Sequence, residues 1–271
     1  MSTRRTLAAE AYADDSGLAA RIPIYAHQEP RLDLVAFALE RLGTVAGPVL
    51  DLGWGTGAYT RRLRDERPHL RVIPMDLTPG MRPEVVGEVD HLPFADGSAG
   101  AILAMHMLYY ATDQRAALEE ARRVLRSGGR LLVSTNGREA GKELRELWTS
   151  ALHDLGADPS PYPRIDEPFL LDRAADLVRD VFGSANTAEH RSRIVVPRPE
   201  PVLAYVASSR REHVGQLPPG VTWDAYLAAA DRRVRAEIAR SGAFVITGHV
   251  GVVTAERVDE RGLQPSPSLV R

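Results

Sequence analysis

The sequence predicts an α/β protein organised around a doubly wound, mostly parallel β-sheet. Short apolar runs alternate with amphipathic segments through the first half of the chain, and a glycine-rich turn follows one of these runs. Strands that alternate with helices pair in parallel, because each helix carries the chain back across the sheet. The chain has 271 residues, of which 44% are apolar, which is typical of a compact globular protein.

Apolar periodicity places the elements of the first half. Residues 31–42 put leucine and valine side chains on one helical face, and a glycine follows as a stop signal. Residues 49–52 form a short apolar strand that runs into the turn Gly53–Gly57. Further strands are expected at 70–76, 99–105 and 130–135, and a helix at 113–126 that Gly128 and Gly129 close.

The second half diverges from this simple alternation. Helical spacing recurs in four segments, and two runs rich in β-branched residues indicate strands, the second of them a long edge strand. The expected helices are 139–155, 168–182, 199–211 and 222–241, and the expected strands are 193–197 and 243–255.

Composition excludes several classes of protein. The net charge is −2 and the isoelectric point is near 6.5, so no nucleic-acid partner is expected. Cysteine is absent, which removes disulfides and thiolate chemistry, and no two histidines share the spacing of metal ligands on a helix. No apolar run suits a signal peptide or a membrane span, so we expect a cytoplasmic protein with no membrane partner.

The glycine turn alone leaves two interpretations open. Glycines at 53, 55 and 57 let backbone approach a nucleotide-like group closely, since no Cβ is in the way. Together with Ala58 they fit the pattern G-x-G-x-x-A of dinucleotide-binding proteins, and Asp76 lies about where the ribose-binding acid of that pattern is expected. Whether the ligand is a dinucleotide or another nucleotide-like group, it would bind beyond the carboxyl ends of the strands.

Several further segments, in order, resemble the class I S-adenosylmethionine-dependent methyltransferases. The segment VLDLGWGTG at 49–57 is similar to their first motif, with an acid two residues before the first glycine, and the resemblance extends through 75–81, 87–104, 107–113 and 119–135. It implies a Rossmann-like core with a seven-stranded sheet whose last strand is antiparallel. It also implies S-adenosylmethionine as the cofactor.

Carried over position by position, the resemblance implies roles for the first motif and the acid after the second strand. Gly53, Gly55 and Gly57 would wrap the methionine part of the cofactor, and Asp51 would orient its amino group. Asp76 would accept hydrogen bonds from both ribose hydroxyls, because a carboxylate offers two acceptor oxygens. The alternative for Asp76 is the N-cap of a helix.

The adenine end of the cofactor is assigned in the same way. The resemblance implies that Leu77 packs on the adenine and that Glu88 and Val89 meet its edge, although relatives more often have Asp-Ala there. Trp54 departs from the family, which usually has a small residue at this position. Its ring either narrows the methionine pocket or covers the core, and we favour the second interpretation.

Two further groups of residues are expected around the pocket. Arg21 and Tyr25 lie in a stretch, ARIPIY, that resembles the N-terminal cap segments of bacterial small-molecule methyltransferases, with an ordinary amphipathic segment as the alternative. His106 follows the strand 99–105 and is the candidate general base, since an unperturbed histidine titrates near neutrality. The alternative is that His106 only packs and that methyl transfer relies on alignment. Substrate-binding candidates are Tyr109, Tyr110 and Trp148.

The expected function is methyl transfer to the oxygen or nitrogen of a small-molecule acceptor, with secondary metabolism as one setting. Two alternatives stay open, namely an RNA or protein methyltransferase and an S-adenosylmethionine-binding protein with different chemistry. The oligomeric state is also open, a homodimer being one alternative. The expected domains are an N-terminal cap segment (1–30), the cofactor-binding core (31–198), a helical cap insertion (199–241), the last sheet strand (242–256) and a tail (257–271).

Overall fold

The computed structural model describes residues 16–158 and 169–258. One eight-stranded sheet runs through them in the order β1-β7-β8-β6-β5-β2-β3-β4. The strands are β1 (Gln28–Glu29), β2 (Val49–Leu52), β3 (Val72–Asp76), β4 (Val85–Val86), β5 (Ala99–Met105), β6 (Leu125–Asn136), β7 (Asn186–Val196) and β8 (Phe244–Glu256).

The strand directions confirm the predicted fold class. β6, β5, β2, β3 and β4 are mutually parallel, whereas β8 pairs antiparallel with both β6 and β7. The sheet has eight strands where seven were expected, because the two-residue strand β1 adds antiparallel to the outer edge of β7.

The prediction that 243–255 is an edge strand was wrong. β8 lies inside the sheet between β7 and β6, with Val252 and Val253 both buried, one on each face. Length and β-branched content are the same for an edge strand and for an inner strand of a mixed sheet, so they did not distinguish the two.

Nine helices follow from the described residues: α1 (Ser16–Arg21), α2 (Leu34–Leu42), α3 (Ala58–Glu66), α4 (Gln114–Val124), α5 (Lys142–Asp154), α6 (Leu171–Phe182), α7 (Pro199–Ser208), α8 (Arg210–His213) and α9 (Trp223–Ser241). Short 3-10 helices occupy Ile22–His27, Pro79–Met81, Leu108–Tyr110 and Val214–Gln216. Side-chain caps fix several starts; the carboxylate of Asp33, for example, accepts from the amide of Ala36 at 3.0 Å. Within the described ranges no helix has the length and hydropathy of a membrane span.

Three apolar cores hold these layers together. α2 and α3 pack on one face of the sheet, and α4 and α6 pack on the other. The side chains of β5 alternate between these two cores, as a strand covered on both faces requires. The third core joins α5, α7 and α9 to the ends of β7 and β8, and it includes Ile24.

The third core contains helices from two of the predicted domains. The helices of the expected cap insertion, α7 to α9, lie over the ends of β7 and β8, but α5 packs with them although it falls inside the expected core at 31–198. The first 15 residues of the cap segment and residues 259–271 of the expected tail lie outside the described residues.

Candidate active site

A cavity of about 700 Å³ lies beyond the carboxyl ends of the parallel strands. The order of the sheet reverses between β2 and β5, and open α/β sheets bind ligands at such a switch point. The cavity is bounded by the turn after β2, the residues after β3, β5 and β6, the start of α5, the middle of β8, and the 3-10 helix at Ile22–His27. Its volume is in the range of small-molecule sites.

The glycine turn forms one wall. Gly53 and Gly55 line the cavity with left-handed backbone, at φ values of 66° and 54°. A Cβ on Gly53 would lie 2.6 Å from the Cβ of Met107, so only glycine fits this position.

Gly57 does not line the cavity. It caps α3, with φ at 74°, and a Cβ there would lie 2.6 Å from Nε1 of Trp54. The indole of Trp54 therefore packs over Gly57, and Trp54 also lines the cavity.

Asp76 ends β3 at the cavity wall. Its Oδ2 accepts from the amide of Gly55 at 3.2 Å, and its Oδ1 accepts from the amide of Thr78 at 3.0 Å. These two bonds fix the carboxylate in place, and each oxygen retains a further lone pair for a ligand hydroxyl. Leu77, Glu88 and Val89 line the same part of the cavity.

Asp51 is buried beneath this wall and does not line the cavity. Its Oδ2 accepts from the hydroxyl of Thr60 at 2.5 Å. Burial raises the pKa of the Asp51 carboxyl to about 7, and the bond from Thr60 only partly offsets that rise. The carboxyl therefore keeps its proton to a higher pH than an exposed aspartate does.

His106, Tyr109 and Tyr110 face the cavity after β5. The backbone of His106 is left-handed, at φ 53°, and its amide donates to the carbonyl of Ser134 at 3.0 Å. Left-handed backbone is uncommon outside glycine, and such positions cluster at functional sites. The rings of Tyr109 and Tyr110 lie 4.8 Å apart.

Trp148 lies outside the cavity. It is fully buried in the third core, with ring centroids 4.7 Å from Tyr226 and 5.7 Å from His213. His213 both packs on Trp148 and lines the cavity.

Arg21 and Tyr25 line the cavity from the N-terminal side. Nη2 of Arg21 lies 2.8 Å from Oε1 of Glu212, and Nε of Arg21 donates to the hydroxyl of Ser208 at 3.1 Å. These two contacts hold the N-terminal segment against α7 and α8.

The sequence did not predict several polar side chains of the cavity, two of which carry a guanidinium and an imidazole. Arg145 borders it from the first turn of α5, and His249 borders it from β8. Nε2 of His249 lies 2.8 Å from Oε2 of Glu189, which lowers the pKa of that carboxyl, and Nδ1 of His249 is buried without a hydrogen-bond partner in the described structure. The His249–Glu189 pair depends on the register between β7 and β8, for which the sequence carries no signal. No group of three potential metal ligands occurs in the described ranges.

Part of the chain matches a known family. Residues 50–133 match a family model described as a methyltransferase domain. This segment holds the glycine turn, Asp76 and His106.

Curated relatives have several names. The malonyl-[acyl-carrier protein] O-methyltransferase of Hahella chejuensis is 34% identical over 112 residues, which is 37% of this chain and 40% of the relative. The demethylmenaquinone methyltransferase of Thermotoga maritima is 36% identical over 95 residues, covering 31% of this chain and 42% of the relative. The chain thus spans about half or less of these relatives.

Solved structures share the fold at low identity. Phosphoethanolamine N-methyltransferase 2 of Haemonchus contortus, in complex with phosphomonomethylethanolamine and S-adenosylhomocysteine, is 14% identical with a TM-score of 0.55 over 95% of this chain and 60% of that one. A protein of Anabaena variabilis described as a methyltransferase from an antibiotic biosynthesis pathway is 16% identical with a TM-score of 0.57, over 82% and 96% of the two chains.

Proposed function

We propose that this chain is an enzyme that transfers a methyl group from S-adenosylmethionine to the oxygen or nitrogen of a small-molecule acceptor. The observation that carries the proposal is the single cavity in which the glycine turn and Asp76 border the same space as His106, Tyr109 and Tyr110. Cofactor-binding and acceptor-facing groups are thereby brought next to each other. The curated relatives named as O-methyltransferases support oxygen as the methylated atom.

The residues present fit the cofactor. Gly53 and Gly55 line the cavity with left-handed backbone, so the main chain itself would contact the methionine part. The fixed carboxylate of Asp76 suits the two hydroxyls of a ribose. Leu77, Glu88 and Val89 would surround the adenine, and Arg21 and Tyr25 would cover the cofactor from the N-terminal segment. Asp51 could contact the amino group of S-adenosylmethionine, as the resemblance implies, only if the bound cofactor reached beneath the glycine turn.

When bound, S-adenosylmethionine supplies a methyl group that is already activated on a sulfonium. The protein then has to align the acceptor, exclude water and, where the acceptor is protonated, remove a proton. In this proposal His106 takes that proton, because it projects from the carboxyl end of β5 into the cavity. Tyr109 and Tyr110 shape the acceptor side, whereas Trp148 supports the wall from behind.

Calorimetry with S-adenosylmethionine and S-adenosylhomocysteine tests the proposal. The wild type should bind both, and Asp76→Ala should weaken both by about 1–3 kcal/mol, since it strands the partners of a charged hydrogen bond. Asp65→Ala, an exposed position on α3, is the matched control and should bind as the wild type does. Tighter binding of NAD than of either adenosyl ligand would contradict the proposal.

A further inference from the structure

Part of the cavity wall formed by α5, β7 and β8 is apolar. Leu144, Ile194 and Ile246 are buried side chains that border it, joined by Val250 and, from α7, by Tyr205. This wall suits the apolar body of a ligand. Arg145 places a guanidinium beside it.

The guanidinium of Arg145 is bonded to two backbone carbonyls and to no carboxylate of the described residues. Its Nη1 donates to the carbonyl of Ala140 at 2.7 Å and its Nη2 to the carbonyl of Arg138 at 3.3 Å. No carboxylate of residues 16–158 or 169–258 lies within 4.0 Å of it. Glu143, two residues earlier, has its oxygens on the amide and hydroxyl of Thr247 at 2.8 and 2.6 Å.

The other arginine of the cavity differs in this respect. Arg21 is neutralised by Glu212 at 2.8 Å. Arg145 therefore leaves a positive charge at the cavity, partly removed from water and held in place by two carbonyls. A guanidinium has five N–H donors, so several stay available to a ligand after these two bonds. The N-terminal end of α5, where Arg145 lies, adds positive potential of the same sign.

We infer that the acceptor of this enzyme is an amphiphilic anion, whose carboxylate or phosphate group binds Arg145 and whose apolar body packs on the wall of α5, β7 and β8. A planar guanidinium matches both kinds of anion with paired N–H donors. This inference rests on the proposed function and narrows the class of its substrate.

The test measures ligand binding to the protein saturated with S-adenosylhomocysteine. Three probes share a six-carbon body: hexanoate, hexyl phosphate and the neutral hexanamide. Wild type should bind at least one of the two anions more tightly than hexanamide, and the stronger anion identifies the headgroup. Arg145→Gln should weaken binding of that anion about tenfold or more, as for a lost charge-assisted bond, while hexanamide binding changes little.

Two further variants control the result. Arg138→Gln removes an exposed arginine of the loop before α5, whose side chain does not border the cavity, and it should bind all probes like the wild type. Arg145→Lys keeps the charge and should retain part of the affinity that Arg145→Gln loses. Thermal melting confirms that each variant is folded.

Four outcomes would overturn the inference: equal binding of hexanamide and both anions, wild-type affinity in Arg145→Gln, an equal loss in Arg138→Gln, or absence of binding by every probe. Since S-adenosylhomocysteine is titrated first, a protein that does not bind it refutes the proposed function, whereas a protein that binds it but fails the probe test refutes only this inference.

Discussion

Asp51 should make the stability of the protein depend on pH in an unusual direction. Raising the pKa of its carboxyl from 3.8 to about 7 corresponds to about 4 kcal/mol, at 1.36 kcal/mol per pH unit. The folded state holds this proton to higher pH than the unfolded state does. The free energy of unfolding contributed by Asp51 therefore falls as pH rises from about 4 to about 7, and it is constant above that range.

The comparison that isolates this effect is wild type against Asp51→Asn. Asparagine is close in size and its Oδ1 can still accept from Thr60, so the variant removes the ionisation and keeps the hydrogen bond. In urea unfolding, the stability of Asp51→Asn relative to wild type should increase by about 2.5 kcal/mol between about pH 5 and about pH 8. Asp65→Asn, on the exposed face of α3, should follow the wild-type curve. A difference between Asp51→Asn and wild type that does not change with pH would refute the reasoning.

Substitutions at three other positions probe the site and its support. Trp148→Ala should lower the free energy of unfolding by about 3–5 kcal/mol, with the exposed Thr149→Ala as control, and should leave S-adenosylhomocysteine affinity unchanged because the ring does not border the cavity. Gly57→Ala should destabilise by at least about 1 kcal/mol through its left-handed backbone and the indole above it, and part of that loss should disappear in the Trp54→Ala background; additive losses would show that the two do not interact. His106→Ala should lower kcat by about 10²–10⁴ with partial rescue at higher pH and little change in cofactor affinity, whereas intact turnover would mean that alignment alone suffices. His106→Gly should be more stable than His106→Ala by about 1 kcal/mol, since φ is 53° there.

The parallel half of the fold, apart from the two-residue strand β4, could be predicted from the sequence because its signals are local. β2, the turn after it and Asp76 follow one another within a few residues, and a strand that enters a glycine turn and a helix has few alternatives. The same locality explains why β1 was missed. Two residues, Gln28 and Glu29, have no periodicity, and they become a strand only by pairing with Ile194 and Arg193.

The contact between His249 and Glu189 could not be predicted from the sequence, because it depends on the long-range register between β7 and β8. His249 approaches Glu189 only because β7 and β8 pair antiparallel in one particular register, which sets Glu189 opposite Gly251 and Arg191 opposite His249. A shift by one residue would turn these side chains to the opposite face. Nothing near either residue in the sequence indicates the other.

Trp148 was predicted at the cavity but lies outside it, whereas Arg145 borders the cavity and was not predicted. The geometry of α5 explains both outcomes. Helical periodicity identifies the centre of the apolar face of α5, and Trp148 lies on it, buried against α9. The cavity, however, borders only the first turn of α5, where Leu144 and Arg145 lie. Trp148 is four residues beyond Leu144, about 6 Å further along the helix axis, so it reaches the core instead of the cavity. A residue that binds a ligand next to a core is therefore found at the boundary between the apolar and polar faces, where periodicity gives its weakest signal.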